Sequence, residues 1–405
     1  MAALTPRSVF LNTRKQIIRA SIVTIQQCHY SQSPNIIKNA SAVNMKRGTG
    51  GRSSFNGTVC TIFGSTGFIG RYLVNRLGKV GTQLILPYRG DHYDCMHLKP
   101  CGDLGQILFH PFDIRDEESI RRCIKYSNVV INLIGREYET KNFSFEDVHV
   151  EGARTLARIC KESGVERLIH LSSLNANSNP KTIFLKEPSR FFTSKWDGEL
   201  AVRQEFPDAT IIRPSDVYGQ EDRFLMLYQS KWRHHLLNGV PLYKKGEETE
   251  KQPVWVGDVA AGVIAAIKDS ESIGRTYQFV GPRRYKLADL VDWFMRILRR
   301  EADEAGYRRL DIDYCPLFKL KVTLTEKLSP AYPVGYLHWQ ALEREHMSDN
   351  VIKGLPMLED LGINPIAIDT QVLWELAPFR YDLAYQEYYG EYDDPPPPPH
   401  ITSLT

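Results

Sequence analysis

Between residue 58 and about 280, short apolar runs alternate with stretches whose apolar residues recur near the helical period. The runs Val59–Phe63, Gln83–Pro87, Gln106–His110, Val129–Ile134, Arg167–Ser172, Thr210–Arg213 and Thr276–Val280 are mostly continuous rather than alternating. That is the pattern of strands covered on both faces. Arg71–Leu77, Ser119–Tyr126, Val148–Ser163 and Lys195–Phe206 read as helices. Regular alternation of the two predicts the α/β class, with a doubly wound parallel sheet and helices on both faces.

After residue 281 the pattern changes. Leu287–Arg300 reads as a helix with a basic end, followed by Pro-broken pieces that include Leu324–Trp339 and Pro356–Leu361. The organisation expected is a leader over 1–45 and a large domain over 55–285, into which part of a small domain inserts near 220–255. A smaller, mostly helical C-terminal domain then runs over 286–380 and a tail over 381–405. The tail mixes tyrosines and acids before Pro395–Pro399, a run that can enter neither a helix nor a sheet interior. Trp374, Phe379, Tyr381, Tyr385, Tyr388, Tyr389 and Tyr392 make this end either a solvated tail or a docking segment.

No acidic residue precedes Asp91, whereas Arg7, Arg14, Lys15, Arg19, Lys38, Lys46, Arg47 and Arg52 are all basic. Ile17, Ile18, Ile22 and Ile25 fall between the basic residues at helical spacing. Arg-containing, acid-free and amphipathic, this start has the composition of a mitochondrial transit peptide, with cleavage expected between 20 and 45. The net charge is +3, and without the leader the chain turns slightly acidic, which argues against nucleic acid as a partner. No apolar run is long enough for a spanning helix. The seven cysteines are scattered without metal-ligand spacing and read as buried thiols of a reducing compartment.

The candidate chemistry starts at Val59–Phe63, which leads straight into Gly64-Ser65-Thr66-Gly67-Phe68-Ile69-Gly70 and then a helix. This strand, glycine turn and helix open a Rossmann dinucleotide-binding unit. Gly64 allows the tight turn, Gly67 lets the backbone approach a pyrophosphate, and Gly70 lets helix and strand pack closely. At the end of the second strand stands Arg89, where NAD sites usually carry a carboxylate; a cation there suits the 2′-phosphate of NADP(H). Asp113 ends the third strand, where an Asp often meets the adenine amino group. The small-residue end Asn132-Leu133-Ile134-Gly135 is expected beside the nicotinamide ribose.

These motifs resemble the short-chain dehydrogenase/reductase superfamily, in its extended or atypical branch, over roughly 58–285. Val150-Glu151-Gly152, His170-Leu171-Ser172-Ser173, Ser194-Lys195, Arg213-Pro214-Ser215-Asp216-Val217-Tyr218-Gly219 and Val256-Gly257-Asp258-Val259-Ala260 carry the resemblance further. It implies that Lys195 holds the nicotinamide ribose, that Ser173 matches the family serine within one residue, and that Pro214 lines the site. Members that transfer hydride place a Tyr four residues before the lysine, to carry the substrate proton. Here that residue is Phe191, which has no proton to give, and neither Tyr218 nor Tyr228 has a family warrant as a substitute.

A narrower resemblance joins the leader, Gly64–Arg71, Pro87-Tyr88-Arg89, Asn132–Glu137 and Pro214–Gly219. Together they are similar to a family of accessory subunits of mitochondrial respiratory complex I. The resemblance implies a tightly held, structural NADPH, a matrix-side position on the inner membrane, other complex I subunits as partners, and contact with the lipid or quinone region. The function expected is therefore non-catalytic. Two alternatives stand beside it: a stand-alone mitochondrial NADP-dependent oxidoreductase or epimerase acting on a lipid or quinone-pathway intermediate, and a scaffold with a vestigial nucleotide site. The stretch Lys231-Trp232-Arg233-His234-His235 is expected as an amphipathic helix that could lie on a membrane or a neighbouring subunit.

Overall fold

The computed structural model describes residues 46–48, 50–230, 232–234, 239–300, 307–329, 337–381 and 394–401. The expected leader, Lys231, His235 and the tail tyrosines Tyr385, Tyr388, Tyr389 and Tyr392 lie outside the described residues.

Seven strands form one sheet: β1 (Val59–Phe63), β2 (Gln83–Tyr88), β3 (Ile107–Pro111), β4 (Val129–Asn132), β5 (Arg167–Leu171), β6 (Thr210–Pro214) and β7 (Thr276–Phe279). Their order is β7-β6-β5-β4-β1-β2-β3 and every neighbouring pair is parallel. The order reverses between β1 and β4, and ligands of open α/β sheets bind at the carboxyl ends of the strands flanking such a switch point. Phe63 at the end of β1 pairs with Asn132 at the end of β4, so the two segments diverge from one level of the sheet.

The helices alternate with these strands as the apolar spacing predicts: α1 (Phe68–Lys79), α2 (Glu117–Ile124), α3 (Gly152–Glu162), α4 (Arg190–Glu205), the short α5 (Phe224–Gln229) and α6 (Val256–Lys268). One face of the sheet is covered by Leu73, Val74 and Leu77 of α1 with Val259 and Val263 of α6. The other carries Ile120 of α2, Leu156 and Ile159 of α3 and Val202 of α4. Strands buried on both faces need no alternation of polar residues, which is why their runs are continuous.

Three boundaries differ from the sequence pattern, each for a local reason. β3 starts after Gln106, whose side-chain amide instead donates to the carbonyls of Gly78 and Thr82, 2.9 Å from each. β4 stops at Asn132 rather than Ile134, because the Asn132 amide oxygen accepts the Ile134 N–H at 3.0 Å and turns the chain out of the sheet. α4 starts at Arg190, more than a turn before Lys195, which places Phe191 and Phe192 on a helix.

Beyond the sheet lie α7 (Leu287–Ile297), α8 (Pro316–Leu328), α9 (Trp339–His346) and α10 (Ile368–Leu376). Leu290, Val291 and Phe294 of α7 pack with Tyr218, Leu225, Val240, Leu242 and Val372 in a second core. The described part of the Lys231–His235 stretch is a turn, not an amphipathic helix, and Arg233 is fully buried against Glu345 of α9 at 2.9 Å. Arg233 therefore cannot face a membrane or partner, since a guanidinium taken out of water must keep its carboxylate. Trp232 alone of the two is exposed. Of the described cysteines, Cys60, Cys95, Cys123, Cys160 and Cys315 are buried free thiols, while Cys101 is half-buried. Among the described residues no helix is long and apolar enough to cross a membrane.

Candidate nucleotide site

The glycine loop joins β1 to α1. Gly64 sits at φ +80, a left-handed conformation that favours glycine, and a Cβ there would also lie 3.1 Å from the Leu133 carbonyl carbon. Gly70 is forced by close approach: its Cβ would lie 2.6 Å from both the Gly64 and the Ser65 carbonyl oxygens. Gly67 occupies the position just before α1 and donates its N–H to Gly64 O at 3.1 Å. No side chain caps this helix end, and its first turn holds no acid. Its unbonded N–H groups and the positive end of the helix dipole are thus left to an anion. Ser65 is fully buried within the loop, and its hydroxyl has no partner among the described residues. Arg71 braces the loop from outside, donating to Thr66 O at 3.2 Å and pairing with Glu221. Phe68 and Ile69 form the first turn of α1, and Ile69 packs on the core.

Arg89 and Asp113 lie where β2 and β3, neighbours in the sheet, end, and both are exposed. The Arg89 guanidinium lies 5.9 Å from the centre of the Phe143 ring, and that of Arg115 lies 4.2 Å from the same ring. Asp113 accepts the Arg115 N–H at 2.9 Å, which holds the turn that leaves β3. Two cations therefore gather on one aromatic ring at this edge of the site. The sequence pattern marked Arg89 and missed Arg115 and Phe143.

On the other side of the switch point, Leu133, Ile134 and Gly135 follow β4, and Lys195 of α4 reaches them. A Cβ on Gly135 would lie 3.0 Å from the Lys195 ammonium nitrogen, which donates to Leu171 O at 3.3 Å. Burial lowers the Lys195 ammonium to about 8 against the partial support of Glu199 and Glu137. Pro214 ends β6, is buried, and accepts the Leu174 N–H at 2.9 Å. Ser173 is half-buried, whereas Ser172 is buried and its hydroxyl has no partner among the described residues. One turn further along α4, Glu199 grips Arg213 of β6 through contacts of 2.9 and 2.6 Å, tying the helix to the sheet.

Phe191 stands one turn before Lys195 and is buried. Its ring meets Phe145, His149 and Phe192, with centroids 5.9, 5.6 and 5.4 Å away. His149 is the nearest candidate to replace the absent phenol, and the structure disarms it. Its Nε2 accepts the Arg136 N–H at 3.1 Å, and its Nδ1 lies 2.9 Å from the Ser194 hydroxyl. With Nε2 an acceptor, the neutral ring carries its proton on Nδ1 and gives it to Ser194, leaving neither nitrogen free. Burial and the nearby Lys195 ammonium hold the imidazole neutral, well below the usual histidine range. Tyr218 and Tyr228 belong to the second core, where burial pushes both phenols far above the usual range.

The side from which a substrate would approach Phe191 is covered by residues far along the chain. The Arg344 guanidinium of α9 lies 5.2 Å from the centre of the Phe191 ring. Arg344 is paired with Glu137 at 3.0 Å, and Arg223 meets the same carboxylate at 2.8 Å. Burial alone would raise the Glu137 carboxyl, but the two guanidinium groups hold it down to about 2. Beside them the buried Glu343 accepts the N–H groups of Ile183, Phe184 and Leu185 at 2.5, 2.8 and 3.3 Å. That one carboxylate fixes the loop between β5 and α4 onto α9. No local pattern marked Glu137, Glu343 or Arg344.

The NAD dependent epimerase/dehydratase family matches residues 60–280. Mouse NADH dehydrogenase [ubiquinone] 1 alpha subcomplex subunit 9, mitochondrial, is 47% identical over 324 residues, 80% of each chain. The chain belongs to the NAD dependent epimerase/dehydratase family and to the subunit 9 family of mitochondrial NADH dehydrogenase. The mitochondrial NADH-ubiquinone oxidoreductase 40 kDa subunit of Neurospora crassa is 35% identical over 353 residues, 87% of this chain and 85% of its own. Among solved structures, the dTDP-glucose 4,6-dehydratase DesIV of Streptomyces venezuelae, with NAD and TYD bound, superposes with a TM-score of 0.56 at 17% identity. That match covers 83% of this chain and 99% of DesIV, and supports the fold. The uncapped glycine turn, the buried unpartnered Ser65 hydroxyl and the Gly135–Lys195 approach are a donor set that fits a dinucleotide of the family's kind.

Proposed function

We propose that this chain is a non-catalytic accessory subunit of mitochondrial respiratory complex I that holds NADPH as a structural group. The reading places it on the matrix side of the inner membrane, with other complex I subunits as partners. The observation that carries it is Phe191 in the position of the acid/base phenol, sealed beneath Arg344 and its partner Glu137. A site so covered retains the means to hold a nucleotide and lacks both a proton carrier and an open substrate face. The glycine loop would take the pyrophosphate, Arg89 the 2′-phosphate, Asp113 the adenine side, and Lys195 with Gly135 the nicotinamide ribose. A bound nucleotide stabilises the folded chain by mass action, which links nucleotide occupancy to assembly.

Native gels of gently solubilised mitochondria test the assignment: the endogenous chain should migrate with complex I. Gly67→Asp, which sets a carboxylate against the phosphates, should lose nucleotide and fail to assemble. Normal assembly of a nucleotide-free Gly67→Asp chain would end the structural-cofactor reading. A chain migrating alone, or NADPH oxidation by the unaltered protein, would favour the stand-alone oxidoreductase instead.

A further inference from the structure

Helix α8 (Pro316–Leu328) has two apolar faces, and the fold uses only one. Phe318 and Val322 are buried with Ile312, Leu337 and Leu342, which fastens the helix to the body of the protein. Leu317, Leu320, Leu324 and Leu328 are each more than half exposed. At about 100° per residue these four leucines fall within about 80° of the helix circumference, a continuous row about 16 Å long. Lys321 borders the row on one side and Lys327 on the other. Lys321 donates to the Trp232 carbonyl at 2.8 Å, and its ammonium lies 5.5 Å from the centre of the Trp232 ring. Trp232 is half exposed, so an indole stands beside the leucine row. Lys327 has no ion pair among the described residues and is exposed. The acids of the segment are placed elsewhere: Glu326 on the opposite side of the helix, and Asp313 paired with Lys319 at 2.9 Å.

We propose that α8 and Trp232 form a bilayer-docking surface that lies in the plane of an anionic membrane interface. The chemistry fits that occupant: leucines enter the acyl boundary, the indole sits at headgroup depth, and lysines on both flanks reach anionic phosphates. Soluble chains seldom leave such a row in water. The surface deepens the accessory-subunit reading by naming the lipid face the subunit touches, yet it stands on α8 itself, so lipid binding and assembly can fail separately.

The test uses tagged chain purified from mitochondria, floated with phosphatidylcholine vesicles with or without about one-fifth cardiolipin. The chain should bind the cardiolipin vesicles and release as salt rises. The double variant Leu320→Glu and Leu324→Glu should weaken binding at least about tenfold with an unchanged melting midpoint, because both leucines are exposed. Lys327→Glu should weaken only the cardiolipin-dependent part. Failure of the unaltered chain to bind, or equal binding by the double variant, overturns the proposal. A double variant that still binds vesicles but leaves complex I also overturns it, and assigns the row to a protein partner.

Discussion

Gly67 and Gly70 stand three residues apart in one loop, and the structure predicts opposite consequences for adding a methyl group to each. Gly67 lies at φ −74, which alanine adopts freely, and its added Cβ would meet only Gly64 O at 3.3 Å. Gly67→Ala should therefore leave nucleotide-free stability within about 1 kcal/mol, a small loss at the helix cap offsetting the gain from a stiffer unfolded chain. Its effect falls on the space a pyrophosphate would approach. NADPH at about a hundred times its dissociation constant stabilises the folded chain by about 2.7 kcal/mol, and hundredfold weaker binding leaves only about 0.4 kcal/mol. Gly70→Ala differs, because its Cβ would lie 2.6 Å from two backbone oxygens and 2.7 Å from Ser65 Cα. None of these is the end of a flexible side chain, so the loop itself must move, at a cost of about 1–3 kcal/mol without any ligand. Thermal unfolding with and without NADPH separates the two, at about 2 °C per kcal/mol for a chain of this size. The unaltered chain should gain about 5 °C from NADPH, Gly67→Ala about 1 °C or less, and Gly70→Ala should start about 2–6 °C lower. A Gly67→Ala chain that keeps the full NADPH shift would refute the phosphate-cradle assignment. A Gly70→Ala chain that melts with the unaltered protein would refute the packing argument.

Further variants probe the rest of the site. Glu199→Ala strands the buried Arg213 guanidinium and should cost about 3–5 kcal/mol in urea unfolding; a loss under about 1 kcal/mol would show that water reaches the pair. Arg89→Asp should remove the preference for a 2′-phosphate, so nucleotide extracted from the purified variant should shift from NADP(H) toward NAD(H); an unchanged ratio would pass that role elsewhere. Phe191→Tyr should not restore NADPH turnover, because Arg344 still covers the ring, and only the double variant with Arg344→Ala reopens that side; turnover by the single variant would contradict the closure. Burial, with Lys195 adding to it, presses the His170 imidazole down to about 3, and burial holds those of His338 and His346 near 4. The unfolded chain takes up these protons near pH 6.5, so below that pH it binds more protons than the folded chain, and stability falls as pH drops toward 3–4. His170→Gln should flatten that acid arm by about 1.4 kcal/mol per pH unit, measured by urea unfolding between about pH 7 and about pH 4.5; an identical slope would mean that His170 is not buried neutral.

The parts of this site legible in the sequence are those whose cause is local. The glycine spacing follows from one turn's sterics and dipole, the continuous strands from burial on both faces, and Phe191 against Lys195 from the pitch of a single helix. The parts that were not legible join distant segments. Glu137 meets Arg344 across 207 residues, and Glu343 caps Ile183 across 160. Neither contact leaves a periodic trace, because each uses one charged residue whose spacing to its neighbours carries no signal. Arg233 shows the same limit from the other side: by spacing it belongs on a basic amphipathic face, and only Glu345, 112 residues later, draws it into the interior.

The division also falls along the chain in a way that bears on function. The family match ends at residue 280, and within it the glycine loop, the sheet order and Lys195 are retained while the phenol is absent. Arg344 and Glu343, the residues of α9 that cover the substrate side, lie beyond that boundary. Had the phenol alone been lost, an open cleft beside the nicotinamide would remain and one substitution could reopen the chemistry. Had α9 alone been added, a competent acid would sit under a cover that some substrate could displace. Here both changes act on one ring face, with Arg344 over Phe191 and Glu137 fixing Arg344, so the ribose end of the nucleotide site is tied by Lys195 and Glu137 to the C-terminal segment. Occupancy of the glycine loop and the seating of α9 thus share their middle residues, which is the physical route by which a nucleotide that undergoes no chemistry can still govern whether this chain is fit to assemble.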